Sequence, residues 1–281
     1  MDATERFIAL IQGPEDAIDL DEGCLLVAAH AHPRADAASV VDGGRARLDA
    51  LARSCAGPSL GDLRRHLFDT IGFTGNRRRY DDPRNSLLDE VLERRTGIPI
   101  TLAVVVIEVG RRLGLQLDSV GLPGHFLVGV GPDQYLDAFD AGRLLDTAGC
   151  RRRFAELAGA DAPWSAGLLA PVGPRAVLAR VLANLRAVFA GSRDLHGLEW
   201  VLRLRVAIPG VPVQERVERA SVLAGLGRYD DAALELDRLA EIIETPAPSG
   251  PLRHPAAAAL DPRAEAADLR ARAARLRARL N

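Results

Sequence analysis

Apolar and polar positions along the chain follow three successive periods: helical, then strand-like, then helical again. "LDEGCLLVAAHA" is a small-apolar run with Asp21 placed as a cap, which predicts a buried helix. "VVDGGRARLDALARSC" and "SLGDLRRHLFDTIGF" repeat apolar residues at helical spacing, and Ser59 or Asp62 suits the start of the second. "TGNRRRYDDPRNS" reads as a polar, turn-rich loop from Thr74 to Ser86. "NSLLDEVLERRTG" predicts a helix capped by Asn85 or Ser86 and stopped at Gly97.

The following stretch, "RRTGIPITLAVVVIEVGRRLGL", runs from Arg94 to Leu115 and predicts a wholly buried helix. Pro99 suits its first position, where the missing N–H would have no partner anyway, and Gly114 suits its stop. The period then shortens. "LQLDSVGL", "HFLVGVG" and "QYLDAF" predict short strands, with "GPDQ" as a turn before the last. A buried helix beside a small antiparallel sheet is an α+β core.

A Gly-, Ala- and Pro-rich connector leads to Pro174, after which the pattern is helical. "RDLHGLEWVLRL" and "RYDDAALELDRL" resemble each other about 35 positions apart, and "LGRYDDA" suits a tetratricopeptide turn. The predicted organisation is residues 1–160 as an α+β domain with a helical N-terminal part and 174–245 as a tetratricopeptide-like region. Residues 246–281 then form a linker and an Arg/Ala-rich terminal helix.

Composition narrows the chemistry. The 281 residues carry a net charge of −2, which gives no bulk reason to expect nucleic acid or an anionic membrane as partner. All 36 basic residues are Arg, so lysine Schiff bases and a P-loop lysine are excluded. Three cysteines, Cys24, Cys55 and Cys150, do not make a disulfide framework or a zinc site, and a reducing compartment is the simpler reading. The N-terminus lacks a secretory pattern, and the most apolar stretch, Ile98 to Val109, is too short to span a bilayer. A cytoplasmic protein is expected. There is no Gly-rich phosphate loop and no metal-ligand cluster, so no cofactor is expected; His30 and His32, next to Pro33, would point apart on a helix end.

The candidate chemistry lies between Asn85 and Gly142. His125 stands at a strand start after a Pro-Gly turn, and Asp137 stands twelve residues later near the next strand's end. Adjacent antiparallel strands can bring the two together on one face. Such a pair is the base and orienter of a nucleophilic triad, and it is equally a hydrogen-bonded, partly buried histidine.

The words "NSLLDEVL", "GIPITL", "RLGL" and "PGHFLV", in that order and followed by "YLDAFDAG", resemble the SirB-type transglutaminase-like family. The resemblance covers roughly residues 5 to 245. It implies a transglutaminase/papain-like core joined to C-terminal tetratricopeptide-like helices, and a related domain in some F-box proteins. In that wider class a cysteine at the start of a buried helix attacks a carbonyl, aided by a His and an Asp on adjacent strands. His125 and Asp137 match the last two. The helix start is "GIPITL", and no cysteine occurs between Cys55 and Cys150. Thr101 stands there instead. It reads either as a weak hydroxyl nucleophile or as a first-turn threonine bonded to backbone. Asn85, Ser86, Pro99 and Gly124 are expected to line a groove beside His125.

The leading expectation is therefore a degenerate, Cys-lacking transglutaminase-like module that binds a protein or peptide, with no nucleic acid, membrane or metal. The alternative is an amide- or peptide-bond hydrolase or transferase using His125 and Asp137 with Thr101 or an activated water.

Overall fold

The computed structural model describes residues 2–245 and 261–279. The predicted linker lies outside the described residues as far as position 260. The chain forms two compact units, one ending at Val188 and one starting at Phe189.

The first unit opens with α1 (Ala3–Gln12), α2 (Leu20–Ala29), α3 (Ala37–Arg53) and α4 (Leu60–Arg64). Ser59 caps α4, accepting from the Asp62 N–H. Asp21 does not cap α2. It lies in that helix's first turn, buried, with its carboxylate bonded to Arg45 and Arg112. A parallel pair follows, β1 (Thr74–Gly75) with β2 (Thr96–Gly97), enclosing α5 (Leu88–Arg94).

Two local expectations differ from the observed chain here. Neither Asn85 nor Ser86 caps α5. Both sit in a short 3₁₀ turn, Pro83–Ser86, which Asp82 caps. Nor is Gly97 the stop of α5: Arg95 ends it in a left-handed conformation, φ 55°. Gly97 is needed for close approach instead, since a Cβ there would lie 2.8 Å from Thr101 Oγ1.

α6 (Pro99–Arg112) runs through the middle of the unit against α2, α3, α4 and α5. Ile100, Leu102, Val104, Val105, Val106 and Val109 are all buried. Burying each such side chain contributes about 1.5–3 kcal/mol. The helix stops as predicted. Gly114 adopts φ 80°, and the Leu115 N–H closes back on the Gly110 carbonyl at 2.9 Å.

The sheet has four antiparallel strands in chain order: β3 (Asp118–Val120), β4 (Leu127–Gly131), β5 (Gln134–Asp137) and β6 (Arg143–Leu145). α7 (Thr147–Ala158) covers part of it through Cys150 and Phe154, which pack with Val120 and Leu127. α8 (Pro174–Ser192) follows and carries the boundary between the units.

The second unit holds α9 (Leu195–Arg205), α10 (Gln214–Gly225), α11 (Tyr229–Glu244) and α12 (Pro262–Arg277). The "LGRYDDA" turn joins α10 to α11, with Gly227 at φ 76°. An alanine-rich core of Ala220, Leu223, Ala232, Leu236 and Ala240 extends onto α12 through Ala266, Leu269 and Ala273. Among the described residues no helix is long and apolar enough to cross a membrane. The fold is α+β: a helix-and-sheet core with C-terminal helices.

Candidate functional site at the start of the buried helix

The segment Leu122–Pro123–Gly124–His125 is a tight turn closed by the His125 N–H on the Leu122 carbonyl at 2.9 Å. Gly124 sits at φ 74°, a conformation that favours glycine, and Pro123 pre-sets the position before it. The turn delivers His125 just ahead of β4. Val128 pairs with Leu136, so the register puts Asp137 opposite Leu127 and diagonal to His125.

His125 Nε2 lies 2.9 Å from Asp137 Oδ2. The distance is that of a hydrogen bond, but the approach is out of line, so the contact is a close polar one without a well-aligned hydrogen bond. Asp137 is fully buried. Its Oδ1 accepts from the Phe139 and Asp140 N–H groups, and Arg153 of α7 stands 3.3 Å from Oδ2. Burial opposes its ionisation, but His125, Arg153 and the Asp140 N–H outweigh that and hold the carboxyl below the usual range. With Asp137 at Nε2, the neutral ring carries its proton on Nε2 and leaves Nδ1 as an acceptor. Nδ1 has no hydrogen-bond partner among the described residues. Phe139 packs edge-on to the ring, 6.2 Å between centroids, and to Tyr80 at 6.0 Å.

His125 is 5% exposed, and that exposure opens on a cavity of about 240 Å³. Pro99 and Ile100 at the start of α6 form one wall, and Gly124 and Phe126 another. Tyr80, Arg180 and Asn184 supply its polar groups. Arg180 Nη2 donates to the carbonyls of Leu122 at 2.7 Å and His125 at 2.6 Å, so it also fixes the turn. Its guanidinium lies 5.5 Å from the centre of the Phe126 ring.

The other residues singled out in the sequence lie nearby but present almost no surface. Thr101 is 1% exposed. Its hydroxyl donates to the Asn85 carbonyl at 2.6 Å and accepts from the Ile98 N–H at 3.2 Å. It ties the chain before α5 to the first turn of α6. Asn85 and Ser86 are buried, so neither forms the expected groove surface. Asn85 acts from behind it: its amide donates to the carbonyls of Arg79 and Tyr80 and so holds the loop that carries Tyr80.

The thiols are elsewhere. Cys24 is buried in α2, and burial and the neighbouring Glu108 and Asp21 charges push its pKa far up. Burial and the charges of Asp146, Asp137 and Asp133 push Cys150 up to about 12. Cys55 donates to the Gly57 carbonyl. His30 bonds the Leu26 carbonyl and His32 meets Asp89 at 2.6 Å; no cluster among the described residues has the makings of a metal site.

Sequence reading does not single out Arg180 or Asn184. Tyr80 and Arg153 lie in the two arginine-rich stretches "NRRRYDD" and "CRRRF", which read first as solvated surface and second as a contact for an acidic peptide or phosphate. Arg180 and Asn184 have one signal, two polar positions four apart in an apolar helix, and that pattern alone names no site.

A sequence model of the transglutaminase-like superfamily matches residues 34–183. A UPF0162 protein of Xylella fastidiosa (strain Temecula1) is 39% identical over 190 residues, 64% of this chain and 66% of the relative. A UPF0162 protein of Pseudomonas aeruginosa is 37% identical over 112 residues, 40% of this chain and 42% of that one. F-box only protein 21 of Mus musculus is 34% identical over 139 residues, 46% of this chain and 21% of the mouse protein. The chain spans just under two thirds of the length of the first of these and less of the others. The superfamily match takes in more than half of the chain, from α3 across α6, His125 and Asp137 into α8, and the chain belongs to the transglutaminase-like superfamily.

Proposed function

We propose that this is a degenerate transglutaminase-like protein of SirB type whose cavity binds a protein or peptide segment without reacting with it, as an interaction or regulatory module. The observation that carries this reading is the first turn of α6. A thiol at a helix N-terminus beside an imidazole is activated by both. Here the helix start beside the paired His125 presents Pro99 and Ile100, and the Thr101 hydroxyl is committed to the Asn85 carbonyl. The base and its orienter remain, and the attacking group does not. The order of "NSLLDEVL", "GIPITL" and "PGHFLV" supports the SirB type. The mouse relative supports a module: the shared stretch is 21% of that F-box only protein, so it sits within a much longer chain there.

One observation favours a second reading. His125 Nδ1 is open to the cavity, so it has the placement of a base that draws a proton from water and directs it at an amide carbonyl.

The test is a random octapeptide library passed over immobilised full-length protein, wild type and His125→Ala, with mass spectrometry of everything eluted. The expected result is a retained set that the variant loses, with no cleaved or crosslinked product. Equal retention by both proteins overturns the binding site; His125-dependent products replace it with the hydrolase or transferase.

A further inference from the structure

Many of the buried and partly buried arginines among the described residues meet carboxylates, and the one that lines the cavity does not. Arg112 meets Asp21 at 2.7 Å and Asp49 at 2.6 Å. Arg205 meets Glu215 at 2.5 Å, and Arg216 meets Glu235 at 2.8 Å. Arg180 meets no carboxylate among the described residues. Its Nη2 is occupied by two backbone carbonyls, which bear partial charge only and leave the cation uncompensated. Nε and Nη1, with three N–H donors between them, have no partner among the described residues. Burial pulls its pKa below the usual value, with only a small opposing contribution from Tyr80.

An isolated cation drawn partly out of water is costly unless something meets it. The wall where it stands also carries the Tyr80 hydroxyl and the Asn184 amide, each able to donate and to accept, and the start of α6, whose first-turn N–H groups add positive potential. His125 Nδ1 is an acceptor at the same cavity, an unpartnered nitrogen on a side chain that is 5% exposed. A cation, donors and a buried acceptor nitrogen describe a ligand with an anion and an N–H. A volume of about 240 Å³ is on the scale of a single amino-acid residue.

We propose, resting on the peptide-binding reading above, that the cavity captures the carboxylate of a single peptide residue on Arg180, with that residue's amide N–H directed to His125 Nδ1. The carboxylate belongs either to a free C-terminus or to an Asp or Glu side chain.

The experiment uses the octapeptide library made twice, as C-terminal acids and as C-terminal amides, each with and without Asp and Glu, on the immobilised full chain. Peptides bearing a carboxylate are expected to be enriched about tenfold or more over neutral amides, a charge-assisted contact's worth of discrimination. Enrichment of acids lacking Asp and Glu assigns the C-terminus; enrichment of amides containing them assigns the side chain. Arg180→Met is expected to abolish the preference. Arg180→Lys, which keeps the charge and loses the fork, is expected to retain part of it, and thermal melts of both variants verify that they are folded. Neutral amides retained by the wild type as strongly as acids overturn the carboxylate proposal and leave peptide binding standing. A preference that survives intact in folded Arg180→Met overturns it as well. Retention of no library member overturns both proposals.

Discussion

At its C-terminal end α6 places Glu108, Arg111 and Arg112 against Asp21 and Arg45, and at its N-terminal end it borders His125 and Arg180. Both ends gather charge around buried acidic or imidazole side chains: Asp21 and Glu108 at one, His125 at the other. At the C-terminal end cation and anion meet directly: Arg112 alone bridges Asp21, Asp49 and Glu108, and Arg45 and Arg111 reach the same carboxylates. At the N-terminal end His125 keeps Nδ1 open and Arg180 keeps its charge unmet. A closed network of this kind holds the helix in place. An open one, facing a cavity, is where a ligand's groups can be met, and that asymmetry is the reason for proposing the binding site at the first turn of α6.

The comparison predicts the largest effect at the closed end. Asp21→Ala removes one partner from a buried network and leaves Arg112 short of its counter-ion, which costs about 3–5 kcal/mol in urea denaturation. A loss below about 1 kcal/mol would mean that the network is not what holds α6.

Restoring the missing group is the next test. Ile100→Cys, made in a Cys55→Ser background, puts a thiol at the helix start beside His125. Its pKa is expected at least about one unit below the ordinary 8.5, raising alkylation near neutral pH by up to about tenfold. Adding His125→Ala should return it to ordinary behaviour. An unperturbed thiol with His125 present would show that the cavity does not keep the frame of a nucleophile site.

The two ends also differ in the sign of their acid response. Burial and the Asp21 charge raise the Glu108 carboxyl above its usual range against the opposing Arg111 and Arg112 contacts. Its contribution is therefore full below the unfolded-state pKa and is lost as pH rises through the folded-state value. The Asp137 carboxyl is lowered, so its contribution is present above the unfolded-state pKa and is lost as pH falls through the folded-state value. Wild type should gain stability relative to Glu108→Gln between about pH 7 and pH 4, and should lose stability relative to Asp137→Asn only below the unfolded-state range, between about pH 5 and pH 2.5. Slopes of the same sign would break the comparison.

The smallest effect is expected at the open end. His125→Gln keeps a donor toward Asp137 and sacrifices only the unpartnered Nδ1, so stability should move by less than about 1 kcal/mol while peptide retention is lost. A large destabilisation would make His125 a structural histidine.

What the sequence disclosed follows the range of the interactions involved. α6 was legible because burial on every face, Pro99 and Gly114 are local signals, and the structure uses each of them. His125 and Asp137 meet because a two-strand hairpin joins them, a geometry that strand period and one turn imply. Asp21 looked like a cap because capping is local, yet its partner Arg112 is 91 positions away. Asn85 likewise looked like a cap and instead holds a loop and accepts the Thr101 hydroxyl at its carbonyl. Arg180 lies 55 positions from His125, and nothing in an apolar helix marks which arginine will find a carboxylate and which will be left facing a cavity.

The most direct test of binding without catalysis is to incubate the octapeptide library, as acids and as amides, with wild type and His125→Ala in ¹⁸O-water and read new termini by mass spectrometry. The account predicts peptides held by the wild type, released at unchanged mass and not held by the variant, with no ¹⁸O in any terminus. New ¹⁸O-labelled carboxyl termini formed by the wild type and absent with His125→Ala would contradict it, and would make the His125–Asp137 pair the base of a working hydrolase.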